Sequence, residues 1–168
     1  MGTLWNTYAF YVLYAEIDKF NPFNYELEYE KLSVMDKWVL SKLHSLIKFV
    51  DENLENYHIT EAARAIEDFT DDLSNWYVRR SRERFWQKGM EQDKINAYMT
   101  LYSVLNNIAK ISAPFIPFMT EEIYQNISYG LNASLPLSIH LCDYPEYNEL
   151  YIDQELEKNM EAALRIVV

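Results

Sequence analysis

Glycine, proline and cysteine are scarce in this sequence. Its 168 residues include 3 Gly, 5 Pro and a single Cys. Glycine and proline supply most tight turns, so their scarcity argues against a turn-rich β protein and favours long helices. The lone Cys142 allows neither an internal disulfide nor a cysteine-based zinc site, a pattern typical of proteins from a reducing compartment.

Long apolar runs are missing as well. The sequence contains no run of about eighteen apolar residues, the length that a membrane-spanning helix needs. Its N-terminus lacks the basic start, apolar middle and small-residue cleavage site of a signal peptide. We therefore expect a cytoplasmic protein without a membrane partner. Its length and its 49% hydrophobic content suit one core, so we predict that residues 1–168 form a single, monomeric domain.

Positive charge is in short supply except in one segment. The formal net charge of the chain is −11, which argues against a protein whose whole surface binds a polyanion. Residues 79–88 are the exception, because they hold five cations and one carboxylate and so carry a net charge of +4. Any contact with a nucleic acid must therefore be local.

The periodicity of apolar residues predicts an all-α, antiparallel helix bundle. Helical patterns cover residues 4–17, 33–57, 60–88 and 91–112, and two more begin near residues 120 and 153. Ser33 and Asp36 resemble a capping box, and Thr60 and Thr120 are candidate N-caps. Short connections make the second, third and fourth helices antiparallel neighbours. Residues 138–142 alternate like a short strand, so we expect an extended segment laid across the bundle.

The third helix carries an unusual stretch, NWYVRRSRERFW at residues 75–86, with four arginines and four aromatic residues. Two interpretations are open: a surface that binds nucleic acid, or a helix end whose arginines are solvated or held in structural ion pairs. Projection onto a straight α-helix places one stripe on the core side. That stripe contains Ile66, Phe69, Leu73, Trp76, Tyr77, Arg80 and Arg84.

The projection divides the arginines into two classes. An arginine on the core side must bury its stem and find a carboxylate, while one on the outer side is free to meet a phosphate. Arg80 and Arg84 are therefore candidates for structural ion pairs. Arg79 and Arg82 are candidates for RNA contact.

Catalytic and metal-binding patterns are absent from the sequence. Glu55 and His58 match one Glu-x-x-His pattern of di-iron bundles, but such a site needs a second copy. His44 and His140 have no partner at ligand spacing. No Gly-x-Ser-x-Gly, phosphate-cradling glycine loop or His-Glu-x-x-His occurs, so we assign no catalytic and no metal-binding residue.

Five stretches of the chain resemble, in the same order, the helical anticodon-binding domain of isoleucyl-tRNA synthetase, a class Ia aminoacyl-tRNA synthetase. They are residues 5–11 (WNTYAFY), 36–43 (DKWVLSKL), 74–86 (SNWYVRRSRERFW), 113–123 (APFIPFMTEEI) and 138–141 (SIHL). The second and fourth stretches are similar to class Ia enzymes generally. The arginine-rich third stretch is similar to the isoleucine enzyme in particular.

The resemblance implies a part of a larger enzyme. Members of the family activate isoleucine with ATP on a Rossmann-fold domain, transfer it to tRNA and edit valine errors in an inserted domain. The family's His-Ile-Gly-His and Lys-Met-Ser-Lys-Ser signatures are missing here, so we expect a fragment that lacks catalytic activity. The resemblance also implies a further C-terminal region in the parent, for which it leaves zinc binding open.

The family's helical bundle grips the anticodon stem and loop, which makes isoleucine tRNA and the parent's catalytic domain the expected partners. Our main hypothesis is that Arg79, Arg82 and Lys88 engage backbone phosphates while Trp86 offers a stacking face to a splayed base. The alternative is a structural module that braces the catalytic domain, with Arg80 and Arg84 in interdomain ion pairs.

Overall fold

Helices dominate the computed structural model, which describes residues 2–167. Within that range there is no β-strand, and no helix is long and apolar enough to cross a bilayer. The all-α prediction is confirmed. The α-helices are α1 (Gly2–Ile17), α2 (Val34–Glu55), α3 (Ile59–Asp72), α4 (Arg79–Trp86), α5 (Gln92–Ser112), α6 (Pro117–Tyr124) and α7 (Gln154–Val167). Two π-helical turns extend them: Leu73–Val78 joins α3 to α4, and Gln125–Tyr129 follows α6.

The capping box predicted at the start of α2 is confirmed. The Ser33 hydroxyl accepts the backbone N–H of Asp36 at 3.2 Å, and the Asp36 carboxylate accepts the backbone N–H of Ser33 at 3.1 Å. Two N–H groups that a helix start leaves without intrahelical partners are satisfied in this way. From this start α2 runs through the centre of the molecule and buries Trp38, Leu43 and Ile47.

The connection from α2 to α3 consists of three residues, 56–58, whereas the sequence predicted the two residues 58 and 59. Tyr57 adopts the left-handed backbone conformation, with a φ of 60°, and the His58 N–H returns to the last turn of α2. The His58 carbonyl then accepts the N–H of Ala62, which opens α3. Thr60 already lies inside the helix, and the prediction that it is the N-cap is wrong.

Pro117, rather than Thr120, determines the start of α6. Proline in a first helical turn loses no hydrogen bond, and its fixed φ suits the helix. Ile116 is the N-cap, so Thr120 lies one turn inside, where its hydroxyl donates to the Ile116 carbonyl at 3.0 Å. The prediction of Thr120 as the cap is therefore also wrong.

Ion pairs show the direction of neighbouring helices. Asp36 near the start of α2 contacts Arg84 of α4, whereas Lys42, further along α2, pairs with Asp72 at the end of α3. From Asp36 to Lys42 the residue number rises along α2, while the residue number of the ion-pair partner falls from 84 to 72. The helix α2 therefore runs antiparallel to α3 and α4. Arg84 also contacts Asp93 in the first turn of α5, so the end of α4 lies beside the start of α5. The predicted antiparallel arrangement is confirmed.

The last helix packs against α2. The hydroxyls of Ser41 and Ser45 donate to the carboxylate of Glu157, and the Ser41 hydroxyl accepts the N–H of Asp153 at 2.7 Å. The apolar face of α7 lies on the core with Leu156, Met160 and Leu164. These polar contacts at its first turns anchor α7 to the middle of the bundle.

Residues 138–142 are extended only at their ends. Ser138 and Cys142 have extended backbone, but Ile139–Leu141 form one 3₁₀ turn that the Ser138 hydroxyl caps by accepting the N–H of His140. The Glu121 carboxylate accepts the Ser138 hydroxyl at 2.7 Å and the Ile139 N–H at 3.0 Å. The segment therefore turns at residues 139–141 instead of continuing as the predicted extended segment.

The close packing of Gly130 after the second π turn predicts that a methyl group added at this residue destabilises the fold. A Cβ at Gly130 would lie 2.7 Å from the Gln125 carbonyl oxygen, which already accepts the Gly130 N–H at 2.8 Å. Gly130→Ala should therefore lower the free energy of unfolding by about 1 to 3 kcal/mol. Gly2→Ala is the matched control, since nothing lies within 4 Å of its added Cβ. Urea denaturation followed by circular dichroism compares the two, and equal stabilities would contradict the close packing.

Candidate nucleic-acid interface

The arginine-rich segment lies on the π turn Leu73–Val78 and on α4. A π turn holds one more residue than an α turn, so every later position is shifted relative to a straight α-helix. Tyr77 and Val78 are buried at the end of this turn, and Ser81 and Phe85 are buried beyond it. Ser81 and Phe85 thus take the core positions that the straight projection assigned to Arg80 and Arg84.

Arg84 nevertheless reaches a buried carboxylate, because its long side chain runs along the edge of the core. Its two terminal nitrogens donate to the two oxygens of Asp36 at 2.7 and 2.8 Å, a bidentate pair. The same guanidinium donates to Asp93 through Nε at 2.9 Å and through Nη2 at 2.8 Å. Arg84 therefore joins the start of α2 to the start of α5 and is not available to an outside anion.

Asp36 is fully buried, with no exposed surface. Its oxygens accept the Tyr77 hydroxyl at 2.6 Å and the Ser33 hydroxyl at 2.8 Å, in addition to Arg84 and the capping N–H. Burial alone would raise the pKa of Asp36, but the hydrogen bonds and charge of Arg84, with those of Tyr77 and Ser33, leave that pKa below its ordinary value. The sequence marked Asp36 only as a capping residue, because its other partners lie far away along the chain.

The two side chains that bond to Asp36, Tyr77 and Arg84, both keep their protons. Burial, with the neighbouring Asp36, raises the pKa of Tyr77 well above its ordinary value, so the phenol stays neutral and donates. Burial opposes the charge of Arg84, but its bonds to Asp36 and Asp93 raise the pKa of the guanidinium. The network therefore sets the ionised Asp36 carboxylate and the neutral Tyr77 phenol beside a permanent cation.

A second buried cation fixes the end of α4. Lys94 is 2% exposed, and its ammonium donates to the Gln87 carbonyl at 2.8 Å and contacts the Asp18 carboxylate at 2.7 Å. The Tyr98 hydroxyl donates to the same carboxylate at 2.5 Å. These contacts tie α1, α4 and α5 together just beyond Trp86. No sequence pattern singled out Lys94 or Asp18.

Arg80 lies outside the core, contrary to the projection. Its residue is exposed, and its guanidinium lies over the Trp76 ring at 5.3 Å from the centroid. Trp76 is only half-buried. The predicted ion pair of Arg80 is not formed with any carboxylate in residues 2–167. The extra residue of the π turn is the reason, because it rotates Arg80 out of the buried stripe.

The four predicted RNA-contact residues are all exposed. Among the described residues Arg79, Arg82 and Lys88 form no salt bridge, whereas Arg84 in the same stretch is fully engaged. The Arg82 guanidinium lies 6.0 Å from the ring centroid of Phe10 in α1. Trp86 is 56% exposed, and its indole N–H donates to the hydroxyl of Tyr14 at 2.7 Å.

Charge is divided along the continuous helix from α3 to α4, which is about 40 Å long. Its first part carries Arg64 and the carboxylates Glu61, Glu67, Asp68, Asp71 and Asp72. Its last part carries the exposed cations Arg79, Arg80 and Arg82 and one carboxylate, Glu83. The helix therefore repels a polyanion at one end and attracts it at the other.

The histidines have structural surroundings. His44 accepts the Asn148 N–H on Nδ1 at 3.0 Å, and burial lowers the pKa of its ring. His140 lies 3.9 Å from Glu121. No three His, Cys, Asp or Glu side chains in residues 2–167 come together as a metal-binding group.

The chain is similar to known proteins of one family. A family model described as the anticodon-binding domain of tRNA ligase matches residues 36–168. Isoleucine–tRNA ligases from Clostridium kluyveri and Clostridium tetani are 58% and 56% identical over 167 residues, 99% of this chain. The enzyme of Dehalococcoides mccartyi is 44% identical over 163 residues. The chain spans 16% of the length of each of these relatives.

The ion-pair network predicts that two neighbouring arginines differ greatly in their effect on stability. Arg84→Gln leaves the buried Asp36 without its cation and should lower the free energy of unfolding by about 3 to 5 kcal/mol. Arg79→Gln removes the same charge from the surface and should change it by less than about 0.5 kcal/mol. Urea denaturation of both variants measures the difference. Similar losses in the two variants would show that the Arg84 network does not stabilise the bundle.

The lowered pKa of Asp36 predicts acid sensitivity. A folded-state pKa below the unfolded value of about 3.9 contributes stability that is complete above that value and is lost as pH falls through the lower folded pKa. Asp36→Asn should therefore unfold more easily near neutral pH and lose less stability below pH ~4 than the unaltered chain. Asp68→Asn, on the exposed face of α3, is the control. Parallel pH profiles for the unaltered chain and Asp36→Asn would contradict this role.

Proposed function

Because this chain belongs to the family of anticodon-binding domains of tRNA ligases, we propose that it binds the anticodon stem and loop of an isoleucine tRNA. The parent protein would be an isoleucine–tRNA ligase that joins isoleucine to this tRNA with ATP. The bundle itself supplies tRNA contacts and no catalytic group. We propose that residues 1–168 act as one domain of that enzyme.

The observation that carries this proposal is the separation of paired and unpaired cations at α4. Arg84 is held by two carboxylates, while Arg79, Arg82 and Lys88 are exposed and free of salt bridges in the described part of the chain. Unpaired arginines on one helix, with Lys88 just beyond its end, suit phosphate oxygens. The exposed ring of Trp86 beside them suits a base that has left its stack.

Arg80 extends the proposed contact surface. It is exposed, and its planar guanidinium rests against Trp76, an arrangement that leaves its donors free for a phosphate. The alternative role is that Arg80 and Arg84 brace a catalytic domain. The same geometry reduces the number of arginines that could do so. The carboxylates that bind Arg84 belong to this chain, so interdomain ion pairing would depend on Arg80 alone.

The acidic remainder of the chain supports local rather than enveloping contact. With a net charge of −11, most of the surface opposes a polyanion. The first part of the α3–α4 helix is acidic, so the RNA can approach favourably only at the α4 end. Electrostatics would therefore orient the tRNA as well as attract it.

Binding of an isoleucine tRNA transcript at increasing salt tests the proposal. The unaltered chain should bind at low salt, and Arg79→Ala/Arg82→Ala should weaken binding because two phosphate contacts are lost. Each lost contact should also flatten the slope of log affinity against log salt by about 0.7 to 0.9. A gel-shift series measures affinity and slope together.

The matched control is Arg64→Ala/Lys158→Ala, which removes two exposed cations from α3 and α7 without touching α4. This variant should retain most of the affinity. The proposal fails if the unaltered chain does not bind at low salt, or if both double variants lose affinity and slope equally.

A further inference from the structure

We propose that Tyr14 of α1 is a contact residue for RNA, and this inference rests on the proposed function. Its hydroxyl would hold the indole of Trp86 in place and donate its own hydrogen to an acceptor atom of the nucleotide stacked there. The ligand class is therefore a single-stranded nucleotide with a base oxygen or nitrogen, or a phosphate oxygen, near the edge of the indole.

The geometry around Trp86 supports a fixed platform. The indole N–H donates to the Tyr14 hydroxyl at 2.7 Å, yet Trp86 remains 56% exposed. An N–H bond lies in the plane of its ring, so the Tyr14 oxygen lies near that plane, at the rim of the indole. A base stacked on the indole would have its edge or its phosphate close to this hydroxyl.

The Tyr14 hydroxyl has one donor and two acceptor positions. One acceptor position is used by the Trp86 indole. Within residues 2–167 the hydroxyl has no hydrogen-bond acceptor for its own hydrogen, and its bond to Trp86 is exposed to solvent. The donor is therefore available to a ligand, and the bond from the indole polarises it in that direction.

A cluster of rings holds Tyr14 in position. Phe10 lies 4.8 Å from Tyr14 and 5.2 Å from Phe85, measured between ring centroids, and Phe85 packs edge-on against Tyr98. The Phe10 ring also lies under Arg82. Two of the proposed RNA contacts, Arg82 and Trp86, thus rest on side chains of α1. Because the positions are set by rings, little conformational entropy remains to be lost on binding.

Nothing in the family match assigns α1 this role. The matching model begins at residue 36, whereas α1 ends at Ile17. The relatives nevertheless align over 167 residues, so α1 lies within the shared chain. The interface therefore extends beyond the matched region to a helix that is distant in sequence and adjacent in space.

Tyr14→Phe tests the contact, because it removes one oxygen and keeps the ring. The probe is an isoleucine tRNA anticodon stem-loop with 2-aminopurine at each loop position in turn. The dissociation constant should rise about 2- to 10-fold, as expected for one net hydrogen bond, and the fluorescence quenching at the stacked position should decrease. The salt slope should stay unchanged, since no cation is lost.

Tyr57→Phe is the matched control, because Tyr57 is 87% exposed at the other end of the α3–α4 helix. It should bind like the unaltered chain. Thermal midpoints of both variants should also match the unaltered chain, which separates RNA contact from a purely structural effect. In Tyr14→Phe/Trp86→Phe the two losses should be less than multiplicative, because either change breaks the same hydrogen bond.

The outcomes separate the inference from the proposed function. If Tyr14→Phe binds like the unaltered chain while Arg79→Ala/Arg82→Ala is weakened, the role of Tyr14 is overturned and the proposed function stands. Fully multiplicative effects of Tyr14→Phe and Trp86→Phe would overturn the positioning role. If the unaltered chain does not bind the stem-loop at low salt, both proposals fall.

Discussion

The buried carboxylate of Asp36 is the constraint on which the arrangement of this bundle depends. Burying a charge is costly unless it is paired and fully hydrogen-bonded. The Asp36 carboxylate accepts hydrogen bonds from three elements. The donors are Ser33 at the start of the same helix, Tyr77 on the π turn and Arg84 on α4. A shift of α4 would leave the Asp36 charge unpaired in the core, and a shift of the π turn would remove one of its hydrogen bonds. The network therefore specifies where α4 lies against α2.

This constraint also decides which arginines remain free. Arg84 satisfies Asp36 and bridges to Asp93, so it cannot serve an outside anion. The π turn, by adding one residue, places Ser81 and Phe85 in the core and moves Arg80 outside, where Arg79 and Arg82 also lie. The position of the basic surface thus follows from how the core is packed.

Local patterns in the sequence were sufficient for most of the fold. The antiparallel bundle, the capping box of Ser33 and the ends of α1 and α5 follow from periodicity and from residues a few positions apart. The π turn did not follow, because projection assumes a constant 3.6 residues per turn. Lys94 with Asp18, and Trp86 with Tyr14, did not follow either, because each pair joins elements more than seventy residues apart. The RNA-contact roles of Arg79, Arg82, Lys88 and Trp86 stay predictions.

The electrostatic balance suggests how such a bundle would contribute to recognition. A chain of net charge −11 that presents a few unpaired cations on one helix cannot supply the large counterion release that drives tight, general binding. What it can supply is orientation, because the acidic part of α3 and the basic α4 make one approach of a polyanion much better than others. In the proposed function, the rings of Phe10, Tyr14 and Trp86 would add a fixed place for a base. In the proposed function, affinity would come largely from the remainder of the ligase, while this bundle would determine how the anticodon arm is held.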